Sequence, residues 1–305
     1  MPKQITKKQH YAPKFYLRRF ADGNSLQTLH LKSGKIIKPQ PYSGVCYADF
    51  YYAVETGKED EASQEFEDFF RSIEDRFSKD YDSIIDAIWT YKQLSPQQLG
   101  ILAWFLASLW IRSPQTRKRL NDMMEDGMKW YTGIVASHPD FKENAKKKLI
   151  EDGKEVTDEA LEDVMKTFQS GEFQLDFDNQ SHLHFITKCE EFYRWLLAKN
   201  WRFYLAKGSK RFVTSDTPVI DIFTGETMQE RMYGNHIMAR QQFLALTPEI
   251  LIELTDPTVG KKVKRQVVGD TEVVQYNLMR AQHSEDYCYA QSKSDLEDLK
   301  TYYLG

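Results

Sequence analysis

Ser95-Pro96-Gln97-Gln98-Leu99-Gly100-Ile101-Leu102-Ala103-Trp104-Phe105-Leu106-Ala107-Ser108-Leu109-Trp110-Ile111 is the stretch on which the architecture turns. Serine, then proline, then glutamine three places after the serine is a capping signature, and it sets the helix start at this point. From Leu99 to Ile111 apolar residues surround the helix axis instead of forming one stripe. That pattern predicts a central helix covered on every side. The run is too short to cross a bilayer, which takes roughly 20 apolar residues. On its C-terminal side, Ser113-Pro114 repeats the cap and opens a second long helix reaching roughly to Ala136, where His138-Pro139 stops it. On its N-terminal side, Phe66, Phe69, Phe70, Ile73 and Phe77 recur at three- and four-residue steps, so an amphipathic helix turns an aromatic face inward. Further helices are expected at 142–151, 157–169 and 183–198.

Outside this helical middle the texture is alternating. Strands are expected at 26–31 and 35–38, separated by a Ser33-Gly34 reversal, and 44–53 is an extended aromatic segment. Toward the C-terminus, 201–205, 211–214, 219–223, 237–246, 250–254 and 287–290 read as strands. Between them 261–270 is expected to be an exposed ribbon or loop, 273–283 a helix, and 294–299 a short final helix. The N-terminal strands have no nearby partners, so they are expected to join the late sheet. The predicted fold class is therefore α+β: a mixed or antiparallel sheet built from both ends of the chain, with a large helical middle region. Residues 1–305 read as one domain, in which 1–55 and 201–292 are mainly β and 61–200 helical.

With 41% hydrophobic and 13% aromatic residues, the 305-residue chain can bury a sizeable core. Its net charge of −4 conceals an asymmetry: residues 1–45 carry a net +8 and residues 55–80 a net −6. The basic arm either docks on the acidic helix that follows or attracts a nucleic acid or nucleotide. Cys46, Cys189 and Cys288 are odd in number and far apart, which speaks for three reduced thiols and against a disulfide framework or a zinc knuckle. The start Met1-Pro2-Lys3-Gln4 lacks a secretion signal's apolar stretch, and no apolar run is long enough for the membrane, so a cytoplasmic location without a membrane partner is expected. The sequence leaves the oligomeric state open.

The opening His10-Tyr11-Ala12-Pro13-Lys14-Phe15-Tyr16-Leu17-Arg18-Arg19-Phe20 has the form His-Tyr-x-Pro-x-Phe-x-Leu-Arg-x-Phe. It is joined downstream by the helix around Phe66–Glu74, by Ile111-Arg112-Ser113-Pro114 with Arg117, and by Phe212-Val213-Thr214-Ser215-Asp216-Thr217-Pro218-Val219. Together these strings resemble a bacterial family known as domain of unknown function 4238. The resemblance ties distant segments into one unit and implies no activity, catalytic residue or cofactor.

His10 stands just before a proline-started helical turn that bears Arg18 and Arg19, a setting that suits an anion and a proton carrier. Arg112 ends the most apolar helix. There it either bonds the last carbonyls or pairs with Glu74, or else it orients a phosphate. Asp216 follows Thr-Ser at a strand end and precedes Thr-Pro; with Ser215 it either closes a turn on its own backbone or projects into a cleft. The expectation is that His10 and Asp216 act as catalytic groups, that Arg18, Arg112 and Ser215 bind substrate, and that Asp216 holds a Mg²⁺ or Mn²⁺ ion or orients the histidine. The reaction expected is phosphodiester cleavage by a nuclease-like effector on a phosphate-containing substrate. The alternative is a non-catalytic module that binds a nucleotide, nucleic acid or protein. A structural partner using an aromatic patch at Tyr42, Tyr47 and Phe50 is a third option. Two weaker motifs remain: the Arg231-x4-His236 spacing of helical RNA-cutting toxins, set against a glycine-bearing loop, and the donors Asp178, His182, His184 and Cys189, whose spacing fits no established metal site.

Overall fold

The computed structural model describes residues 6–52, 65–177, 179–222, 241–257 and 262–304. Among them it has ten α-helices, one 3₁₀ helix and eleven strands in an α+β arrangement. The chain divides into two compact units, one formed by Met1–Thr116 with Asn179–Gly305 and the other by Arg117–Asp178.

The core of the first unit is the helix α3, Pro96–Ile111. Its capping box closes as read from the sequence: Gln98 N donates to Ser95 Oγ at 3.1 Å, and Ser95 N donates to Gln98 Oε1 at 2.9 Å. A serine cap of this kind contributes about 1 kcal/mol. Leu102, Ala103, Phe105, Ala107, Leu109 and Ile111 are fully buried, as a helix that is apolar all round requires. Against it packs α2, Glu65–Trp89, which is longer than its aromatic stripe alone suggested. The rings of Phe77 and Phe105 stack at 4.0 Å with 3° between planes. Helix α8, Cys189–Ala198, covers another side through Phe192 against Trp110 and Tyr193 stacked on Trp104. The helix expected at 183–198 is broken in two. After α7, Asn179–Ile186, the Thr187 hydroxyl donates to His184 O at 2.6 Å, and α8 begins only at Cys189.

The N-terminal strands find their partners at the other end of the chain. β2 (Ser25–His30) pairs with β3 (Lys35–Pro41) on one side, turning through Gly34 at φ +60°, and with β11 (Tyr287–Ala290) on the other. β6 (Thr214–Ser215) completes a sheet in the order β3-β2-β11-β6. A second sheet runs β10-β5-β9-β8-β7 and comprises Val263–Val268, Asn200–Ala206, Ile250–Thr255, Gln241–Thr247 and Val219–Ile222. The polar segment expected to be a ribbon or loop is thus largely the edge strand β10, parallel to β5. An edge strand needs only one side of its ladder filled and shows much of its surface to water, which is why its composition looked loop-like. The strand expected over 211–214 is mostly replaced by side-chain bonds: Asn277 on α9 (Asp270–Gln282) accepts from Val213 N at 3.0 Å and donates to Arg211 O at 2.8 Å. The final helix α10, Lys293–Leu304, is longer than expected.

A small ribbon pairs β1 (Lys8–His10) with β4 (Tyr47–Asp49), His10 opposite Tyr47 and Lys8 opposite Asp49. Between it and the sheets lies α1, Lys14–Arg18, whose Tyr16 hydroxyl donates to Ala245 O and bonds Thr214 Oγ1, both at 2.8 Å. The second unit contains most of α4 (Pro114–Ala136) with α5 (Phe141–Glu151) and α6 (Asp158–Ser170). Within it Gln169 Nε2 donates to Ala136 O at 3.0 Å. No helix among the described residues is long and apolar enough to cross a membrane.

Candidate functional site

His10 and Tyr11 are consecutive, and they serve two different clusters. His10 stands with the residues around Arg112, Tyr11 with those around Asp216.

Arg112, the C-cap of α3, is fully buried. Its Nη1 donates to Glu74 Oε1 at 2.8 Å, and its guanidinium carbon lies 4.7 Å from the centre of the Phe70 ring. Burial works against its charge, but Glu74, Tyr52 and Glu67 outweigh that and hold its pKa above the usual arginine value. Of the two structural roles read from the sequence, pairing with Glu74 is the one observed. The last carbonyls of α3 are taken by others: His182 Nε2 donates to Ile111 O at 3.0 Å, and Thr116 Oγ1 donates to Trp110 O at 2.7 Å.

Two of the arginine's nitrogens, Nε and Nη2, are buried and have no hydrogen-bond partner among the described residues. Gln9 adds a third such atom. Its Oε1 accepts from Tyr52 N at 2.6 Å, whereas its Nε2 is buried without an acceptor among the described residues. Tyr52 joins the two, its ring 5.1 Å from that of Phe70. Buried polar groups are nearly always paired, so these donors call for acceptors that the described protein groups do not supply, as Arg280 Nη2 and Trp201 Nε1 also do elsewhere.

His10 borders this place. It is half-buried, and Tyr52 Oη donates to its carbonyl at 3.2 Å. Its Nε2 faces Ser43 O at 3.3 Å; a carbonyl only accepts, so Nε2 carries the proton and Nδ1 the lone pair. Burial, with Lys14, Arg112 and Lys8 adding to it, lowers the imidazole pKa to about 4, against the pull of the Ser43 hydrogen bond. The ring is therefore neutral near pH 7. Glu67, on the α2 face that carries Phe70 and Glu74, has its carboxyl raised above the usual range by burial first and the Glu74 charge second.

Asp216 is nearly buried, and both its oxygens face one backbone turn. Oδ1 accepts from Glu285 N at 3.1 Å, and Oδ2 accepts from Asp286 N at 2.8 Å and Tyr287 N at 2.9 Å. Burial raises its pKa to about 6, against the lowering effect of these three amides. It thus clamps a turn 69 to 71 residues away in sequence instead of bonding its own backbone. Ser215 does close the local turn: its Oγ accepts from Thr217 N and donates to Thr217 O, both at 3.0 Å. Around the clamp stand Tyr11, Cys46 and Tyr289, whose thiol and phenols burial pushes well up. Arg280, also fully buried, donates from Nη1 to Thr217 O at 2.6 Å. Thiols, phenols and a guanidinium do not make a site for a hard divalent ion. Nor is there any group of three or more His, Cys, Asp or Glu side chains suited to a metal among the described residues.

The structure therefore brings His10 and Arg112 into one electrostatic neighbourhood. Ser215 and Asp216 lie together in the other cluster, and Asp216 is not among the main influences on His10. Arg18 is exposed at the end of α1. His182 is buried and His184 exposed, so the two diverge. Arg231, His236 and Asp178 lie outside the described residues.

A family model with the description "Protein of unknown function (DUF4238)" matches residues 8–294. The chain belongs to the DUF4238 family. No curated protein and no solved structure matches it. The DUF4238 match takes in both clusters and every described sheet strand. Within this DUF4238 chain, sequence reasoning missed Gln9, Tyr52 and Glu67. Glu67 left a trace, since Glu67, Phe70 and Glu74 follow each other at helical steps and place two carboxylates on an otherwise aromatic face. Gln9 left none, because nothing in a short polar segment announces a buried amide.

Proposed function

We propose that the protein acts on a phosphate-containing substrate, held by Arg112, Lys14 and His10, and that the reaction is cleavage of a phosphodiester. The observation that supports it is the surplus of buried donors on Arg112, whose Nε and Nη2 have no acceptor among the described residues. A phosphate has the acceptors and the charge to fill such a set, and a guanidinium with two adjacent N–H edges suits it. Lys14 adds a positive charge that also acts on Glu67.

In this reading the neutral His10 takes a proton through Nδ1 from the attacking group. The leaving oxygen takes its proton from water. Burial is the main cause of the low His10 pKa, and the cations that add to it are the ones a bound phosphate would neutralise, so the ring becomes more basic when the substrate arrives. Asp216 and Ser215 take no part, because their oxygens serve the turns at 285–287 and 215–217.

The low basicity of His10 in the unliganded protein favours a second reading, a module that binds the same anion without turning it over. Incubation with RNA, DNA and a chromogenic phosphodiester, with and without Mg²⁺ or Mn²⁺, separates the two. Cleavage is expected, reduced by about 10²–10⁴-fold in His10→Ala, the usual contribution of a positioned acid–base group. Binding without product would leave the module. Equal cleavage by His10→Ala would remove the catalytic reading.

A further inference from the structure

We infer that the substrate of this site is a single-stranded nucleic acid, carried along the outer face of the β1–β4 ribbon. The inference rests on the phosphate reading above and adds the class of molecule to it.

Successive side chains of a strand point to opposite faces. Gln9 is fully buried on the inner face of the ribbon, so Lys8 and His10 share the outer one. Tyr47, opposite His10, lies on it too: its ring centre is 5.4 Å from that of His10, and Lys8 Nζ stands 4.6 Å above it. Just past the ribbon, Phe50 is 38% exposed and held at φ +52°. A bulky residue rarely adopts that backbone region. Here the bond from Phe50 N to Lys7 O, at 2.8 Å, fixes it and keeps an apolar ring in water beside a lysine. Lys8 thus lies over Tyr47, and Lys7 Nζ stands 6.0 Å from the centre of the Phe50 ring while pairing with Asp49 Oδ2 at 3.4 Å, so one carboxylate stands among these cations and rings.

Ammonium groups that track phosphates, interleaved with aromatic rings that receive base faces, are the means by which single strands are held without regard to sequence. A duplex keeps its base faces stacked inside and offers them nothing. His10 belongs both to this face and to the donor-rich site, since Arg112 and Lys14 act on it. A strand lying on the ribbon passes His10 at the ribbon's end, where the Tyr47 ring is 5.4 Å from the imidazole. The net +8 of residues 1–45 supplies the long-range attraction.

The test uses the full chain and fluorescence anisotropy with labelled oligodeoxythymidine, oligouridine and a DNA duplex. In parallel, thermal unfolding is followed with inorganic phosphate. Single strands of at least one sugar type are expected to bind more tightly than the duplex. Tyr47→Ala combined with Phe50→Ala is expected to weaken that binding at least about fivefold. Lys7→Glu combined with Lys8→Glu is expected to weaken it and flatten its salt dependence. Stabilisation by phosphate is expected to persist in the aromatic variant. Single-strand binding that is absent, no tighter than duplex binding, or unchanged in both variants overturns this inference, and a retained phosphate response then leaves the anion site standing. A wild-type protein that ignores phosphate overturns the reading beneath it, and this inference with it.

Discussion

The Tyr16 hydroxyl bonds Thr214 Oγ1 and donates to Ala245 O, both at 2.8 Å, across roughly two hundred residues of sequence. It ties the proline-started opening turn to both late sheets, through β6 on one side and β8 on the other. The two strings by which the family is recognised in the sequence, the opening and the Thr-Ser-Asp-Thr-Pro segment, meet at this bond.

Tyr16→Phe should keep the ring packed against Phe20 and Phe105 but leave Ala245 O and Thr214 Oγ1 short of a buried partner. The expected loss is about 1–3 kcal/mol of unfolding free energy, the cost of an unpaired buried polar group. Denaturant titration measures it. A change within about 0.5 kcal/mol, the level of a surface substitution, would mean that the bond does not hold the opening to the sheet.

Acid stability should show two opposed contributions. His10 has a folded pKa of about 4, below its ordinary 6.5, so its contribution is present above pH 6.5 and is lost as the pH falls through 4. Asp216 has a folded pKa of about 6, above its ordinary 3.8; its contribution is full below 3.8 and is lost as the pH rises through 6. Between pH 6 and pH 4 the two oppose each other. Asp216→Asn should therefore steepen the loss of stability on acidification and His10→Gln should make it shallower, as measured by denaturant titrations at several pH values. Asp216→Asn should also be destabilised at every pH, because a side-chain amide turns N–H toward the backbone donors of 285–287.

The architecture was legible where the pattern was physical and local. The cap at Ser95 and the all-round apolar run of α3 announced a central helix, and the lack of nearby partners for β2 and β3 pointed to pairing with the late strands, realised in β2 against β11. What failed depended on neighbours far away in sequence. β10 reads as a loop until β5 supplies its ladder, and 211–213 reads as a strand until Asn277 takes over the backbone bonds. The site divides in the same way. His10 and Arg112 stood out because a ring before a proline-started helical turn and a cation at the end of the most apolar helix can each serve a ligand as well as the fold. The partition of His10 and Tyr11 between two clusters and the surplus donor of Gln9 arise only when β1, α2 and α3 are packed together. Asp216 shows the limit of motif reading: its string suggested a cleft or a local turn, and its carboxylate holds a distant one.

Titration of the His10 imidazole by NMR, in the absence and presence of inorganic phosphate, tests the anion site most directly. Without phosphate the ring should titrate near pH 4, and with saturating phosphate its pKa should rise, because the anion offsets Lys14 and Arg112. Arg112→Lys, which keeps the charge but removes the forked donors, should blunt that rise. An imidazole whose titration is the same with and without phosphate would contradict the account, leaving Arg112 as a structural partner of Glu74.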